Sequence, residues 1–256
     1  MIHPTAIVHE DAQIAEGVEI GPFAVIGANV RIGRGTWIGP HSVIEGWTEI
    51  GEDNRIFQFA SVGADPQDLK FHGEKSWLRI GHRNRIREFV TLHRGTEGGG
   101  GETVIGDDNL FMAYCHVGHD CIVGNRVVMA NCATLGGHVR VDDHAILGGL
   151  SAVHQFTRIG CHVMISGGSM VAQDIPPYTI AQGDRAKTVG INQIGLKRRQ
   201  FSDELVRDIK QAYRLLFRSG LRQELALDRI AAELPDSPEI KVFTDFVRAS
   251  ERGVAR

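Results

Sequence analysis

The run Tyr114-Cys115-His116-Val117-Gly118-His119-Asp120-Cys121 places two histidines and a carboxylate within a few residues of one another. An imidazole, with an ordinary pKa of about 6.5, exchanges a proton readily near neutral pH. A carboxylate beside it orients the ring and supports its charged form, which is how a general base acts on a hydroxyl nucleophile. Two more histidines follow, His138 directly after Gly136-Gly137 and His154 directly before Gln155. Whether these side chains meet depends on the elements that carry them.

Those elements are announced by a repeat. Every sixth residue from Ile2 is aliphatic: Val8, Ile14, Ile20, Ile26, Ile32, Ile38, Ile44, Ile50, Ile56 and Val62. A small or modest side chain, such as Ala6, Ala12, Ala24 or Thr36, stands two residues earlier, and glycine often follows, as at Gly21, Gly27 and Gly33. The phase returns at Ile80, Ile86 and Leu92, slips by one across a glycine-rich insertion, and then holds from Ile105 to Val171. Within a strand, residues i−2 and i face the same interior. Glycine after the aliphatic residue suits a corner with positive φ. Three short strands and three corners in every 18 residues close a triangular prism. Coils about 4.8 Å apart, roughly nine to ten of them, make a rod about 45 Å long.

The expected fold is therefore mainly β, a prism over residues 1–190 with loops near 64–79 and 95–102. The first loop carries Gln67-Asp68-Leu69-Lys70, and loops on a rigid solenoid commonly bear binding residues. Past Pro176-Pro177 and Gly183 the six-residue period fades. A helical stripe of Leu205, Ile209, Ala212 and Leu216 follows Ser202, a natural N-cap. Two more helices are expected over 221–234 and 239–250, so residues 191–256 form a small α-helical cap.

Bulk properties exclude several classes. The net charge of −3 gives no general attraction to nucleic acid or to an anionic membrane. No apolar run approaches a bilayer span, and the N-terminus lacks the basic and apolar regions of a signal peptide. The 4 cysteines form no Cys-x-x-Cys pair, which argues against a zinc or redox framework. A cytoplasmic, reduced protein without stable membrane insertion is expected.

The register also assigns directions. Cys115 and Cys121 occupy inward slots, whereas His116, His119 and Asp120 are expected on the surface. Subtracting 18 from His138 and 36 from His154 puts both within one residue of His119 along the rod. Three outward histidines stacked on one edge are more than core packing requires.

With Asn131, Leu135-Gly136-Gly137-His138, Ala152-Val153-His154-Gln155-Phe156, Gln173-Asp174-Ile175-Pro176-Pro177-Tyr178 and Gly195-Leu196-Lys197-Arg198-Arg199, the His116–Cys121 run resembles the UDP-N-acetylglucosamine 3-O-acyltransferases along the whole chain. These are hexapeptide-repeat enzymes that draw acyl groups from acyl carrier protein at the opening of lipid A synthesis. The resemblance implies a left-handed parallel β-helix, a homotrimer with sites at subunit boundaries, and no cofactor beyond the donor's own phosphopantetheine thioester. It implies His119 as general base, Asp120 as its support and the backbone N–H of Gly137 as oxyanion donor. Asp68, Lys70, His116, His138, His154 and Gln155 would line the sugar-nucleotide and acyl sites. Asn192, Arg198 and Arg199 would meet the nucleotide or the carrier protein. Guanidinium groups suit a diphosphate, and an acidic carrier would attract the same cluster.

Gly167, with Met170 nearby, would limit acyl length. Gly167 lies 48 residues beyond His119, roughly 13 Å along the rod, which suits a tail of about ten or more carbons. One departure is Ile194, where the family often has an acidic residue before Gly195-Leu196-Lys197. Other readings stand beside this one. A 3-amino sugar in place of the 3-hydroxyl is not excluded by any residue. The related N-acyltransferases carry an extra N-terminal domain, whereas repeats here begin at Ile2. His93, His116 and His119 could imitate the intersubunit zinc site of γ-class carbonic anhydrases, and a non-catalytic rod is the plainest alternative.

Overall fold

The computed structural model describes every residue, 1–256. Three parallel sheets wall a prism. The first wall has nine strands, from Ile7–Val8 to Met170–Val171, and the second has eight, from Gln13–Ile14 to Arg158–Ile159. The third has ten, from Glu19–Ile20 to Lys187–Ile191, parallel except for that last strand, which pairs antiparallel with Thr179–Gln182. Successive coils pair in register at 18 residues, as in Ile14 with Ile32 and Val117 with Leu135. The two insertions stretch this to Ser61 with Thr91 and Thr91 with His116. The result is the left-handed parallel β-helix that the resemblance implies.

The inward-facing aliphatics form one continuous core, from Val18 and Ile20 to Val171 and Ile175. Cys115 and Cys121 are fully buried in it, as their register requires. Burial pushes both thiols up to about 12, so neither is a nucleophile at neutral pH.

The recurrent glycines serve a different purpose from the one expected. Among the non-glycine corner residues that take positive φ are Phe59, Tyr114 and Asp120. Glycine right after the aliphatic residue is needed because the next coil passes too close. A Cβ on Gly33 would lie 2.6 Å from the carbonyl carbon of Gly51, and one on Gly39 would lie 2.8 Å from the amide of Gln58. The constraint is stacking distance between coils, and only Gly63 among the glycines of this series has positive φ.

Helices α1 (Gln193–Arg198), α2 (Asp203–Phe217), α3 (Gln223–Glu233) and α4 (Pro238–Arg248) form the cap, with a second apolar core built from Leu196, Ile209, Leu216, Ile230 and Phe243. Ser202 accepts from the Leu205 amide at 3.1 Å and is the expected N-cap of α2. Helix α1 went unforeseen because six residues are too few to show a period. The tail then returns to the prism: Ala255 donates to the Asp174 carbonyl, and Ser250 donates to the Asp174 carboxylate at 2.7 Å. The final residues thus belong physically to the rod as much as to the cap.

Candidate active site

One corner of the prism, between the first and second walls, collects both insertions and the histidine turns. The first insertion leaves Ser61–Ala64 and re-enters at Trp77–Ile80; the second leaves Thr91–His93 and re-enters at Glu102–Ile105. On the following coils, the same corner is turned between His116–Val117 and Ile122–Val123, then after Thr134–Leu135, then after Ala152–Val153. Features far apart in sequence are therefore neighbours on successive coils.

His119 Nδ1 lies 2.7 Å from Asp120 Oδ2. The Asp120 side chain is wholly buried, against the expectation that it lies on the surface. The reason is the second insertion, which folds over it. The Thr96 amide donates to Oδ1 at 2.8 Å and the Thr96 hydroxyl to Oδ2 at 2.7 Å. The Asp120 amide in turn donates to Thr103 Oγ1 at 2.8 Å. Gly99 packs so tightly that a Cβ there would sit 2.1 Å from the carboxylate carbon. With Nδ1 committed to Asp120, the free position on the His119 ring is Nε2, and the imidazole keeps a partly open edge.

Gly137 makes room for that ring. A Cβ at Gly137 would lie 2.6 Å from both Cε1 and Nε2 of His119. The Gly137 carbonyl accepts from the Phe156 amide at 3.1 Å, while its own N–H has no acceptor within the chain. A free donor thus lies beside the imidazole that would act as base.

His138 stands edge-on to His119, ring centroids 5.0 Å apart, with Nε2 3.8 Å from Asp120 Oδ2. On its other face Phe156 stacks at 4.3 Å. Phe156 continues the column, and His154, expected in that line, sits to one side with Nδ1 3.4 Å from an Arg252 nitrogen. His116 shares a hydrogen bond with Thr91 Oγ1 at 2.7 Å and meets His93 edge-on at 4.9 Å. Burial, then the neighbouring His119, holds His116 below the usual imidazole range. His138 is also lowered, chiefly by burial, with Asp120 opposing.

Asp68 and Lys70 line a cleft of about 710 Å³ together with Thr96, Gly99, His138 and Phe156. Buried Arg94 ties the two loops together. It bonds the Gly63 carbonyl at 2.9 Å and the Asp65 carboxylate, and its guanidinium lies 5.6 Å from the Phe71 ring centre. A second cleft of about 730 Å³ lies on the first wall nearer the cap, between His154, Met170, Arg185 and Arg252. Gly167 lies exposed at a different corner, three residues before the strand Met170–Val171, where a Cβ would meet the Gly149 carbonyl oxygen at 3.2 Å.

The cap residues are not brought to His119 within one chain. Asn192 caps α1 by accepting from the Gly195 amide at 3.1 Å and donates to the His162 carbonyl at 2.9 Å, so both ends of its amide are occupied. Arg199 Nη1 lies 2.6 Å from His144 Nδ1, on the corner between the second and third walls. Arg198 is exposed, as is Ile194. The residues that sequence reasoning missed are Thr96, Gly99, Thr103 and Arg94. Their only signal was membership in, or adjacency to, an insertion that interrupts the repeat.

The zinc-like set His93, His116 and His119 does not converge; the donors that lie within 4.8 Å of one another are those of His119, Asp120 and His138. Asp120 already accepts from Thr96 twice and meets His119, which leaves it poorly placed to bind a cation as well.

Two imidazoles largely withdrawn from water, buried His93 and half-buried His162, carry a stability consequence. Burial lowers His93 and His162 to about 4. The unfolded chain protonates these rings from about pH 6.5, so between about 6.5 and 4 it binds more protons than the folded chain. Stability from this source is complete above about pH 6.5 and falls on acidification. The thermal midpoint is expected to be lower at pH 5 than at pH 7.5; a rise would contradict the assignment.

Comparisons with known proteins place this geometry. Residues 174–255 match the family model described as "Udp N-acetylglucosamine O-acyltransferase; Domain 2". Residues 102–137 match "Bacterial transferase hexapeptide (six repeats)". The chain is 56% identical over 255 residues to an acyl-[acyl-carrier-protein]–UDP-N-acetylglucosamine O-acyltransferase of Myxococcus xanthus, covering 100% of this chain and 99% of the relative. It superposes on LpxA of Acinetobacter baumannii with a TM-score of 0.97 at 46% identity, covering 100% of this chain and 99% of that one. A UDP-N-acetylglucosamine acyltransferase of Bacteroides fragilis gives 0.97 at 45% identity, with 100% of both chains covered.

Proposed function

The chain belongs to the acyl-carrier-protein-dependent UDP-N-acetylglucosamine O-acyltransferases, and from that premise we propose that it transfers a long 3-hydroxyacyl group from acyl carrier protein to the 3-hydroxyl of UDP-N-acetylglucosamine, the first step of lipid A biosynthesis. The observation that carries this reading is the His119–Asp120 pair set against the free N–H of Gly137. His119 Nε2 accepts the hydroxyl proton as the sugar oxygen attacks the thioester carbonyl. The carbonyl oxygen gains charge, and the Gly137 N–H donates to it. Collapse breaks the carbon–sulfur bond, and the imidazolium returns its proton to the departing pantetheine thiolate. Asp120 stabilises the imidazolium between these steps. The chemistry needs no resident cofactor.

Lys70 and Asp68 reach into the cleft above His138 and suit the polar sugar nucleotide. The mixed cleft beside His154 and Met170, a short way along the rod, suits the acyl tail, and Gly167, at a different corner and outside that cleft, would meet the tail only from a neighbouring copy of the chain. Gln155 is exposed on the turn between them. Arg198 and Arg199 lie away from this corner, so their role at the nucleotide or carrier requires a neighbouring copy, and a homotrimer with sites between subunits supplies one. No helix is long and apolar enough to cross a membrane, and a cytoplasmic enzyme is our reading.

The test is a mass-spectrometric assay with carrier-bound acyl chains of graded length and both the 3-hydroxy and 3-amino sugar nucleotides. The expected product is the 3-O-acyl sugar nucleotide, formed fastest with chains of about ten or more carbons. Product from the 3-amino sugar alone would reassign the acceptor, and a preference for short chains would reassign Gly167.

A further inference from the structure

Asp120 can support His119 only if something holds the carboxylate itself, and the chain holds it with one residue from the second insertion. Thr96, itself buried, donates twice: its amide to Oδ1 at 2.8 Å and its hydroxyl to Oδ2 at 2.7 Å. Oδ2 is also the atom that meets His119 Nδ1. The grip is prepared from both sides. Thr96 opens the Glu97–Gly99 turn, and its carbonyl accepts from the amides of Gly99 and Gly101 at 3.1 and 2.8 Å. Gly99 then closes on the carboxylate at a distance that excludes any side chain. Two residues earlier, Arg94 fastens this insertion to the one bearing Asp68 and Lys70.

Resting on the assignment of His119 as base, we propose that Thr96 is a positioning residue for the reaction: its hydroxyl aims Asp120 Oδ2 at His119 and withdraws charge from it. Both effects act through Asp120, since Thr96 has no bond to the imidazole. A carboxylate oxygen that loses a hydrogen-bond donor becomes more basic and pairs more strongly with an imidazolium. The charged and titratable groups facing His119 are Asp120 and His138 directly, with His116, His93 and, beyond His138, Asp68 farther out. Removing the Thr96 hydroxyl changes none of these except the Asp120 oxygen.

The variants are Thr96→Val, which keeps the shape and amide but loses the hydroxyl, and Thr96→Ser, which restores it. For Thr96→Val, kcat is expected to fall about tenfold with KM for the sugar nucleotide within about twofold, because only the base is misaligned. The acid limb of the pH–rate profile should move up by about half a unit or more. Thr96→Ser should recover both. In parallel, nitrogen-15 NMR of the histidine side chains follows the His119 titration without substrate, and Thr96→Val should raise its midpoint. The idea is overturned if Thr96→Val leaves kcat, the acid limb and the NMR midpoint unchanged. It is also overturned if Thr96→Ser is as impaired as Thr96→Val, since packing would then be the cause. Should the unmodified enzyme fail to acylate the sugar nucleotide, the assigned reaction falls, while the NMR comparison still decides whether Thr96 controls His119.

Discussion

Replacing His119 with alanine should lower turnover about 10²–10⁴-fold, the usual contribution of a positioned general base. The fall should appear in kcat, because a proton acceptor acts on the transition state and does little for ground-state binding. Folding should survive. The imidazole lies at a corner outside the stacked aliphatic core, and its bonding partner Asp120 keeps both hydrogen bonds from Thr96 when the ring is removed. The measurement is initial velocity against sugar-nucleotide concentration at saturating acyl carrier, with the thermal midpoint recorded beside it. Near-normal turnover would remove His119 from the mechanism. A large loss of thermal stability would mean that the ring braces the corner.

Gly137→Ala tests the same ring from its neighbour's side. The backbone at Gly137 lies outside the left-handed region, so alanine is acceptable to the main chain itself. The conflict is with the side chain: the new methyl would lie 2.6 Å from Cε1 and Nε2 of His119. The imidazole must tilt away, and tilting strains the 2.7 Å contact between Nδ1 and Asp120. A displacement of about 1 Å in a catalytic group costs about 10²-fold in rate. Turnover of Gly137→Ala is therefore expected to fall about 100-fold with little change in the thermal midpoint. Its chemical shifts should change at His119 and Phe156, the two residues its backbone and missing side chain touch. Full activity in this variant would show that the ring has freedom that the geometry denies it.

These two experiments rest on unequal foundations. The six-residue period alone determined that the chain winds into a prism, because burying one aliphatic stripe per wall leaves few alternatives. It also determined that Cys115, Val117 and Cys121 face inward, since side chains alternate along a strand regardless of what lies outside. The histidine column was half legible. Counting by 18 puts His138 one coil beyond Asp120 and Phe156 one coil beyond His138, and Phe156 does stack on His138; His154 entered the line only through a slack of two residues, which at a corner is enough to send a side chain elsewhere. Residue arithmetic locates a Cα along the rod; that the ring of His119, one residue out of that register, meets His138 edge-on is decided by its side-chain torsions.

The purpose of the glycines is hidden in the sequence for a related reason. Period and composition show that a small residue is wanted, but not whether the demand comes from a dihedral angle or from the approach of the next coil. At Gly33 and Gly39 it comes from the approach. Loops were the least legible part. Insertions break the period that gives every other residue its address, so nothing in the chain's pattern said that Thr96 would return to Asp120 across 24 residues. That contact buried a carboxylate expected to face solvent. Nor could local sequence show that Asn192 is occupied as a helix cap or that Arg199 lies at another corner beside His144. A repeat is a local rule applied many times, so sequence alone suffices to read it. A site is a meeting of residues from different coils and loops, and only the closed tertiary structure decides which of them touch.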